Sequence, residues 1–345
     1  MIIIRRIGIL TGGGDAPGLN AVIKGIVTIL TKAGIEVYGL KDGWKGALDG
    51  QGRVLELSDV ENIQGLGGTI LGSSRTNIPK IENGFTMVEE TMNRLNLDGL
   101  IAIGGDDTLG VAAELNRRGF NVIGVPKTID NDLPLTDYTF GYDTAINIAT
   151  EAIDRLHTTS LSHSKSMVVE VMGRTGGWIA MGAGLAGGAD MILVPEFPKS
   201  IDEICDVVKK RRESGKPYTM IVVSEGFQLL GVEETKVDEV DAFGHIKLDD
   251  RKIAESIAEE LKKRIGESCR TTVLGFIQRG GAPSAYDRNL GLKFGIKAAE
   301  LARDNQFGYM VALRGTEIEK VELENISHKL KLVDEEYYKL AENLL

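Results

Sequence analysis

The chain has only two cysteines among its 345 residues, Cys205 and Cys269, with neither a Cys-x-x-Cys pair nor a histidine at metal-ligand spacing beside them. A disulfide framework and a zinc site are therefore not expected, and the pattern fits a reducing compartment. The four histidines, His157, His163, His245 and His328, make no metal spacing and no Ser-His-Asp arrangement. Positive charge is also short: 40 Lys and Arg stand against 50 Asp and Glu, a formal net charge of -10 with a pI near 5.1. That balance argues against general affinity for nucleic acid or acidic membrane surfaces and leaves room only for local basic pockets. No apolar run approaches the roughly 20 residues a membrane span requires. The opening MIIIRRIGIL places its first apolar residues before the arginines, unlike a secretory leader. No Pro or Ser excess and no short repeat marks a linker or a collagen-like segment. The expectation is a cytosolic globular protein.

Glycine, in contrast, is abundant, with 43 residues against a typical share of about 7%. The glycines cluster where short apolar runs end, at Gly12–Gly14, Gly67-Gly68, Gly104-Gly105, Gly176-Gly177, Gly187-Gly188 and Gly280-Gly281. Those runs, Ile7 to Leu10, Val37 to Leu40, Leu100 to Ile103, Val122 to Val125, Met167 to Val171, Met191 to Val194, Met220 to Val223 and Thr272 to Ile277, read as buried parallel strands. After GGGDAPG, the residues Leu19, Val22, Ile23, Ile26, Val27 and Leu30 fall on one face of a helix. Strand and helix in alternation predict an α/β protein with doubly wound, Rossmann-like parallel sheets and ligands at the carboxyl ends of the strands. The length predicts roughly two domains of about 150 residues, with a boundary near residue 141. The acidic stretch Gly231 to Asp250 breaks the rhythm as a surface excursion, and the chain from about Glu317 reads as a charged, helix-prone closing element.

Several stretches carry chemistry. GILTGGGDAPGLN follows a strand and opens a helix, so backbone N–H groups can receive a phosphate there, although a plain strand-helix turn would look the same. IGGDDTLG sets Asp106 and Asp107 side by side after another Gly-Gly turn. VPKTIDNDLP crowds Lys127, Thr128, Asp130, Asn131 and Asp132 into one loop, a cation and carboxylates of the kind that phosphoryl transfer to an alcohol uses; an Asx-rich turn before proline is the alternative. VVEVMGRTGGW holds Arg174 in a Gly-bounded turn, VSEG offers Glu225 to hydroxyls, and CRTTVLGFIQRGGAPSAYDR adds Arg270, Arg279 and Arg288 around a further Gly-Gly turn.

In this order, GGDAPG, GGTILGSSR, GGDDT, PKTIDND, MGR, SEG and IQRGG resemble the 6-phosphofructokinase family over nearly the whole chain, with an inserted stretch like that of its longer bacterial branch. The resemblance implies two similar α/β domains with the active site in the cleft between them, residues 1–141 plus about 278–306 binding the phosphoryl donor and 142–277 plus about 307–345 binding fructose 6-phosphate. It implies Mg²⁺ as cofactor, and a homodimer or homotetramer whose neighbouring subunit completes the sugar-phosphate site. Carried over by position, Asp130 matches the general base, with Thr128 and Ile129 beside it, and Arg174 matches the transition-state arginine. Asp106 matches the magnesium carboxylate, with Asp132 a second candidate. Gly12, Arg75, Asp107 and Lys127 fall at donor positions. Met172, Gly173, Glu225 and Arg279 fall at sugar-phosphate positions, and Lys165 and Arg270 lie where a partner subunit reaches across.

Asp107 bears on the donor. Family members that use ATP resemble GGDGS or GGEGT, with glycine at this position, whereas pyrophosphate users resemble GGDD. A carboxylate about 4 Å from the α-phosphate of ATP would cost about 4 kcal/mol at an effective dielectric of 20, roughly a thousandfold in affinity, and pyrophosphate has no α-phosphate. The expected activity is reversible transfer from pyrophosphate to the 1-hydroxyl of fructose 6-phosphate. The alternatives are an ATP-dependent 6-phosphofructokinase and a non-catalytic regulatory subunit of the same fold. Three departures accompany the resemblance. Lys165 stands where many members have arginine, which opens the question of other acceptors such as sedoheptulose 7-phosphate. Phe276 replaces a histidine at a sugar-phosphate position, and Thr28 and His157 replace arginines of the nucleotide effector pocket, so little allosteric control is expected.

Overall fold

The computed structural model describes residues 4–232, 251–326 and 330–344. Along the chain its strands are β1 (Arg6–Thr11), β2 (Glu36–Leu40), β3 (Gly52–Leu55), β4 (Gly99–Gly104), β5 (Val122–Thr128), β6 (Phe140–Gly141), β7 (Ser166–Val171), β8 (Met191–Leu193), β9 (Lys199–Ser200), β10 (Met220–Ser224), β11 (Leu229–Leu230), β12 (Cys269–Val273), β13 (Tyr309–Arg314) and β14 (Glu317–Glu322). They divide between two compact units: Met1–Ile129 with Leu133–Thr144 and Arg279–Leu330, and Asp130–Asp132 with Ala145–Gln278 and Lys331–Leu345.

The first unit carries a sheet in the order β14-β13-β5-β4-β1-β2-β3, with β6 pairing β5. The run from β13 through β5, β4 and β1 to β2 is parallel, and β3 and β14 close the two edges antiparallel. Successive side chains of a strand point to opposite faces, and both faces are apolar. Ile7, Ile9, Ile101, Ile103, Ile123 and Val125 enter one core with the helices Leu19–Lys32 and Ala285–Arg303, whereas Leu10, Leu100, Ala102 and Val122 enter another with Gly84–Arg94 and Asp106–Arg117. The six apolar positions read on the first helix, from Leu19 to Leu30, are fully buried. That helix and Ala285–Arg303 approach closely through glycine, because a Cβ on Gly295 would lie 2.3 Å from the Val22 carbonyl oxygen.

From β1 the sheet grows toward β2 on one side and toward β4 on the other. The order therefore reverses between β1 and β4, which makes the crevice beyond their carboxyl ends the expected ligand site of such a sheet. The second unit has its own parallel sheet, β12-β7-β10-β8, with Val168, Leu193, Ile221 and Val223 packed on the helices Ile201–Glu213 and Ile253–Ile265. A small β9–β11 pair completes it.

Three expectations need correction. Residues 307–330 belong to the first unit rather than with the second, because β13 pairs β5 in parallel and β14 pairs β13. The chain from Glu317 begins as the edge strand β14, and a helix follows only at Glu335–Leu344. The run Thr272 to Ile277 is a strand only to Val273; Gly275, at φ 49°, turns it into a 3-10 helix, Gly275–Arg279. The excursion read at Gly231 to Asp250 lies, from residue 233 on, outside the described residues, as do His245 and His328.

Candidate active site

The donor-side residues gather at the reversal between β1 and β4. As β1 ends, the Gly12 N–H donates to the Ile103 carbonyl of β4 at 2.9 Å, and Gly13 takes φ 76°. Thr108 fills the notch between the two turns: a Cβ on Gly12 would lie 2.5 Å from its Oγ1, and one on Gly104 2.3 Å from its Cβ. A Cβ at either position would drive into Thr108 and displace the start of its helix, which is the physical need for glycine in both motifs. The segment carrying Ser73 and Ser74 lies along the same loop, with the Gly13 N–H donating to the Ser74 carbonyl at 3.2 Å and Ser73 Oγ donating to the Gly13 carbonyl. Arg75, next in the chain, is exposed.

Asp106 and Asp107 open the helix Asp106–Arg117 directly after Gly105, and both are half-buried. Helix N-termini favour negative charge, so the fold tolerates two adjacent carboxylates there. Lys127, on β5 next to β4, is buried and donates from Nζ to the Gly14 carbonyl, which places its cation on the Gly12–Gly14 loop. Arg279 lies on this side too. Its Nη2 is 2.9 Å from Asp15 Oδ1 and its Nε donates to the Asp15 carbonyl at 3.2 Å. The structure thus brings Gly12, Asp106, Asp107, Lys127 and Arg279 together in the first unit. Thr128 ends β5, its carbonyl accepting from Thr139 Oγ1 at 2.8 Å, and Ile129, which follows, is buried.

In the second unit, Met172 and Gly173 directly follow β7, and Glu225 directly follows β10, its neighbour. Glu225 Oε1 accepts from the Arg174 N–H at 3.1 Å and the Gly173 N–H at 3.3 Å, and the Glu225 N–H donates back to the Val171 carbonyl at 2.8 Å. Gly226 sits so close that a Cβ there would lie 1.7 Å from the Arg174 carbonyl oxygen, so MGR and SEG form one interlocked pair. Burial pushes the Glu225 carboxyl up to about 7, helped by the negative charge of Asp130 and opposed by its two backbone donors. Arg174 takes φ 48°. Asp130 and Asp132 are half-buried around Asn131, itself buried at φ 52°. Lys165 precedes β7 and is half-buried, Arg270 on β12 is exposed, and Phe276 is 67% exposed.

The sequence did not single out Thr108, whose hydroxyl looks like any helix residue, or Glu196 and Lys331, which support the second unit's loops. The motif spacing of Gly12 and Gly104 around a GGDDT turn was the one signal for Thr108.

Among the described residues, no group of three or more His, Cys, Asp or Glu forms a metal cage. A magnesium ion that keeps its waters and is shared with substrate phosphates needs only one or two carboxylates. Asp106, a hard oxygen donor in the first helical turn after Gly104-Gly105, fits that mode.

Paired glycine turns at the strand reversal, with a cation and two carboxylates, define a phosphate-handling α/β protein of the doubly wound class. A phosphofructokinase family profile matches residues 6–302. The chain is 53% identical over 340 residues, 98% of each chain, to a pyrophosphate–fructose 6-phosphate 1-phosphotransferase of Amycolatopsis methanolica. It is 47% identical over 337 residues, 96% of this chain and 97% of the relative, to an ATP-dependent 6-phosphofructokinase of Mycobacterium tuberculosis. The crystal structure of a pyrophosphate-dependent phosphofructokinase from Marinobacter aquaeolei superposes with a TM-score of 0.81 at 25% identity, covering 96% of this chain and 86% of that one. The chain belongs to the phosphofructokinase family.

Proposed function

We propose that this enzyme transfers a phosphoryl group reversibly between pyrophosphate and the 1-hydroxyl of fructose 6-phosphate. The observation that carries the reading is the pair Asp106–Asp107 in the first turn of the helix after Gly105, with the buried Lys127 cation reaching the Gly12–Gly14 loop. One carboxylate suffices for a metal, and the second excludes the α-phosphate of a nucleotide by the charge argument above. Lys127 supplies pyrophosphate with a compensating cation.

In this reading the Gly12 turn, Arg75 and Lys127 hold the donor. Mg²⁺ held by Asp106, with Asp132 the second candidate for that carboxylate, would neutralise charge on the donor phosphates. Glu225, Met172, Gly173, Arg279 and the segment Thr128–Asp130 hold the sugar phosphate. Asp130 takes the proton of the 1-hydroxyl as its oxygen bonds to phosphorus and the bond to the departing phosphate breaks, and Arg174 balances the charge spread over the transferring group. Base catalysis of this kind is worth about 10²–10⁴-fold. Exposed Phe276, Ile277 and Val273, at 67%, 61% and 50%, adjoin Arg270 in the chain and support self-association through which Lys165 and Arg270 serve a neighbour's sugar-phosphate site. Cys205 and Cys269 are free thiols, and no described helix is long and apolar enough to cross a membrane; both accord with a cytoplasmic enzyme.

A second reading, ATP as donor, is favoured by the 47% identical mycobacterial relative named for that activity. Initial rates with fructose 6-phosphate and Mg²⁺, pyrophosphate against ATP, separate the two. Activity with pyrophosphate alone, with ATP use emerging in Asp107→Gly, is expected; ready use of ATP by the unaltered enzyme would overturn the donor assignment.

A further inference from the structure

Lys331 makes connections that no motif announces. In the second unit its backbone N–H donates to the Asp132 carbonyl at 2.7 Å and its ammonium donates to Asn131 Oδ1 at 3.1 Å. Its own carbonyl accepts from the Trp178 indole N–H at 2.7 Å, and its Nζ lies 5.3 Å from the Trp178 ring centroid. Trp178 begins the helix that follows the Arg174 turn and stacks on Tyr337 at 6.0 Å. Two residues beyond Lys331, the Val333 N–H donates to Glu196 Oε1 at 2.9 Å, and the same carboxylate accepts the Gly177 N–H at 2.9 Å. One three-residue stretch, 331–333, is thus bonded to the loop that carries Asp130 and to Trp178, which opens the helix after the Arg174 turn, and it shares the Glu196 carboxylate with Gly177 just before that helix.

Asn131 holds φ 52°, a left-handed conformation that asparagine adopts more readily than other residues with a Cβ, and its side-chain oxygen and the Asp132 carbonyl are both held by Lys331. Asp130 immediately precedes it, so its carboxylate is aimed by whatever fixes Asn131. That segment clusters with Lys331–Leu345 rather than with β5, from which it emerges.

We propose that Lys331 is a positioning residue for phosphoryl transfer, fixing the Asp130–Asp132 segment through Asn131 and Asp132 and tying it to the Arg174 turn through Trp178. The inference rests on Asp130 acting as the base. Misplacing a catalytic group by about 1 Å can cost up to 10²-fold, and here the support loosens without being removed.

Lys331→Met keeps the aliphatic stem against Trp178 and deletes the donor to Asn131. Its kcat is expected to fall by about tenfold, with KM for pyrophosphate and for fructose 6-phosphate changed by less than about twofold, an unchanged thermal midpoint, and recovery of most turnover in Lys331→Arg. Asn131→Gly, which keeps a residue at ease with positive φ, should show the same loss, and the double variant should lose no more than either alone. Wild-type kcat in Lys331→Met, losses that multiply in the double variant, or a loss of turnover that follows a lowered thermal midpoint and is not rescued by Arg would each overturn the inference. Asp130→Ala run in parallel separates the levels. Full turnover there sinks the base assignment itself, whereas an inactive Asp130→Ala beside an unimpaired Lys331→Met sinks only the role of Lys331.

Discussion

Glu225 shows how one carboxyl is tuned by its surroundings. It is half-buried and shares the second unit's site with Asp130, and its folded pKa rises from 4.5 to about 7. Between those values the folded chain binds the proton and the unfolded chain has released it, so stability falls as pH rises through this window and levels off above it. The effect is on the order of 3 kcal/mol at most. Thermal melts of the unaltered protein should show that decline between about pH 4.5 and 7, and Glu225→Gln should reduce it most above about pH 6, since buried Asp287, also raised to about 6, contributes with the same sign below that; parallel curves for the two proteins would contradict the assignment. In the proposed function Asp107 works through the same electrostatics with the opposite purpose, its charge standing where a nucleotide's α-phosphate would sit. Both residues were legible as motif members in SEG and GGDDT. Their environments were not, because burial depends on which strands become neighbours.

Among elements, the pair of helices Leu19–Lys32 and Ala285–Arg303 shows what the apolar pattern left out. Periodicity marked Leu19, Val22, Ile23, Ile26, Val27 and Leu30 as a buried face, and all are buried. It gave no hint that the partner helix lies some 270 residues away in the chain and approaches through Gly291 and Gly295, which abut the Gly18 and Val22 carbonyl oxygens. Gly295→Ala would set a Cβ 2.3 Å from the Val22 oxygen. The helices would have to separate, and a loss of about 1–3 kcal/mol is expected in chemical denaturation; an alanine variant as stable as the parent would mean that the pair yields freely. The strand β13 escaped notice for a related reason, since MVALR is short and carries an arginine, and only its pairing with β5 makes it part of the sheet.

For the whole molecule, the exposed apolar residues Phe276 and Ile277 bear on assembly. Burying a side chain of this size contributes roughly 1.5–3 kcal/mol. If the proposed self-association runs through this patch, Phe276→Glu should weaken it about 10- to 100-fold in sedimentation experiments, and KM for fructose 6-phosphate should rise with the loss of the proposed partner contacts from Lys165 and Arg270. A variant that stays assembled with unchanged KM would place the interface elsewhere.

The amino-acid sequence by itself determined the class of fold, the strands that end in glycine turns, and the residue types at the candidate site: carboxylates in TIDND, an arginine in MGR, a carboxylate pair in GGDDT. These are local properties, written in apolar period and in the need for glycine where backbone meets backbone. Only the tertiary structure decided that β13 and β14 complete the first sheet, that Thr108 wedges between Gly12 and Gly104, that Arg279 pairs with Asp15, and that Lys331 reaches back to Asn131. Each of these joins residues far apart along the chain, or within one element and across two strands, through contacts whose energy depends on distance in space. No period or spacing in the chain records such a distance.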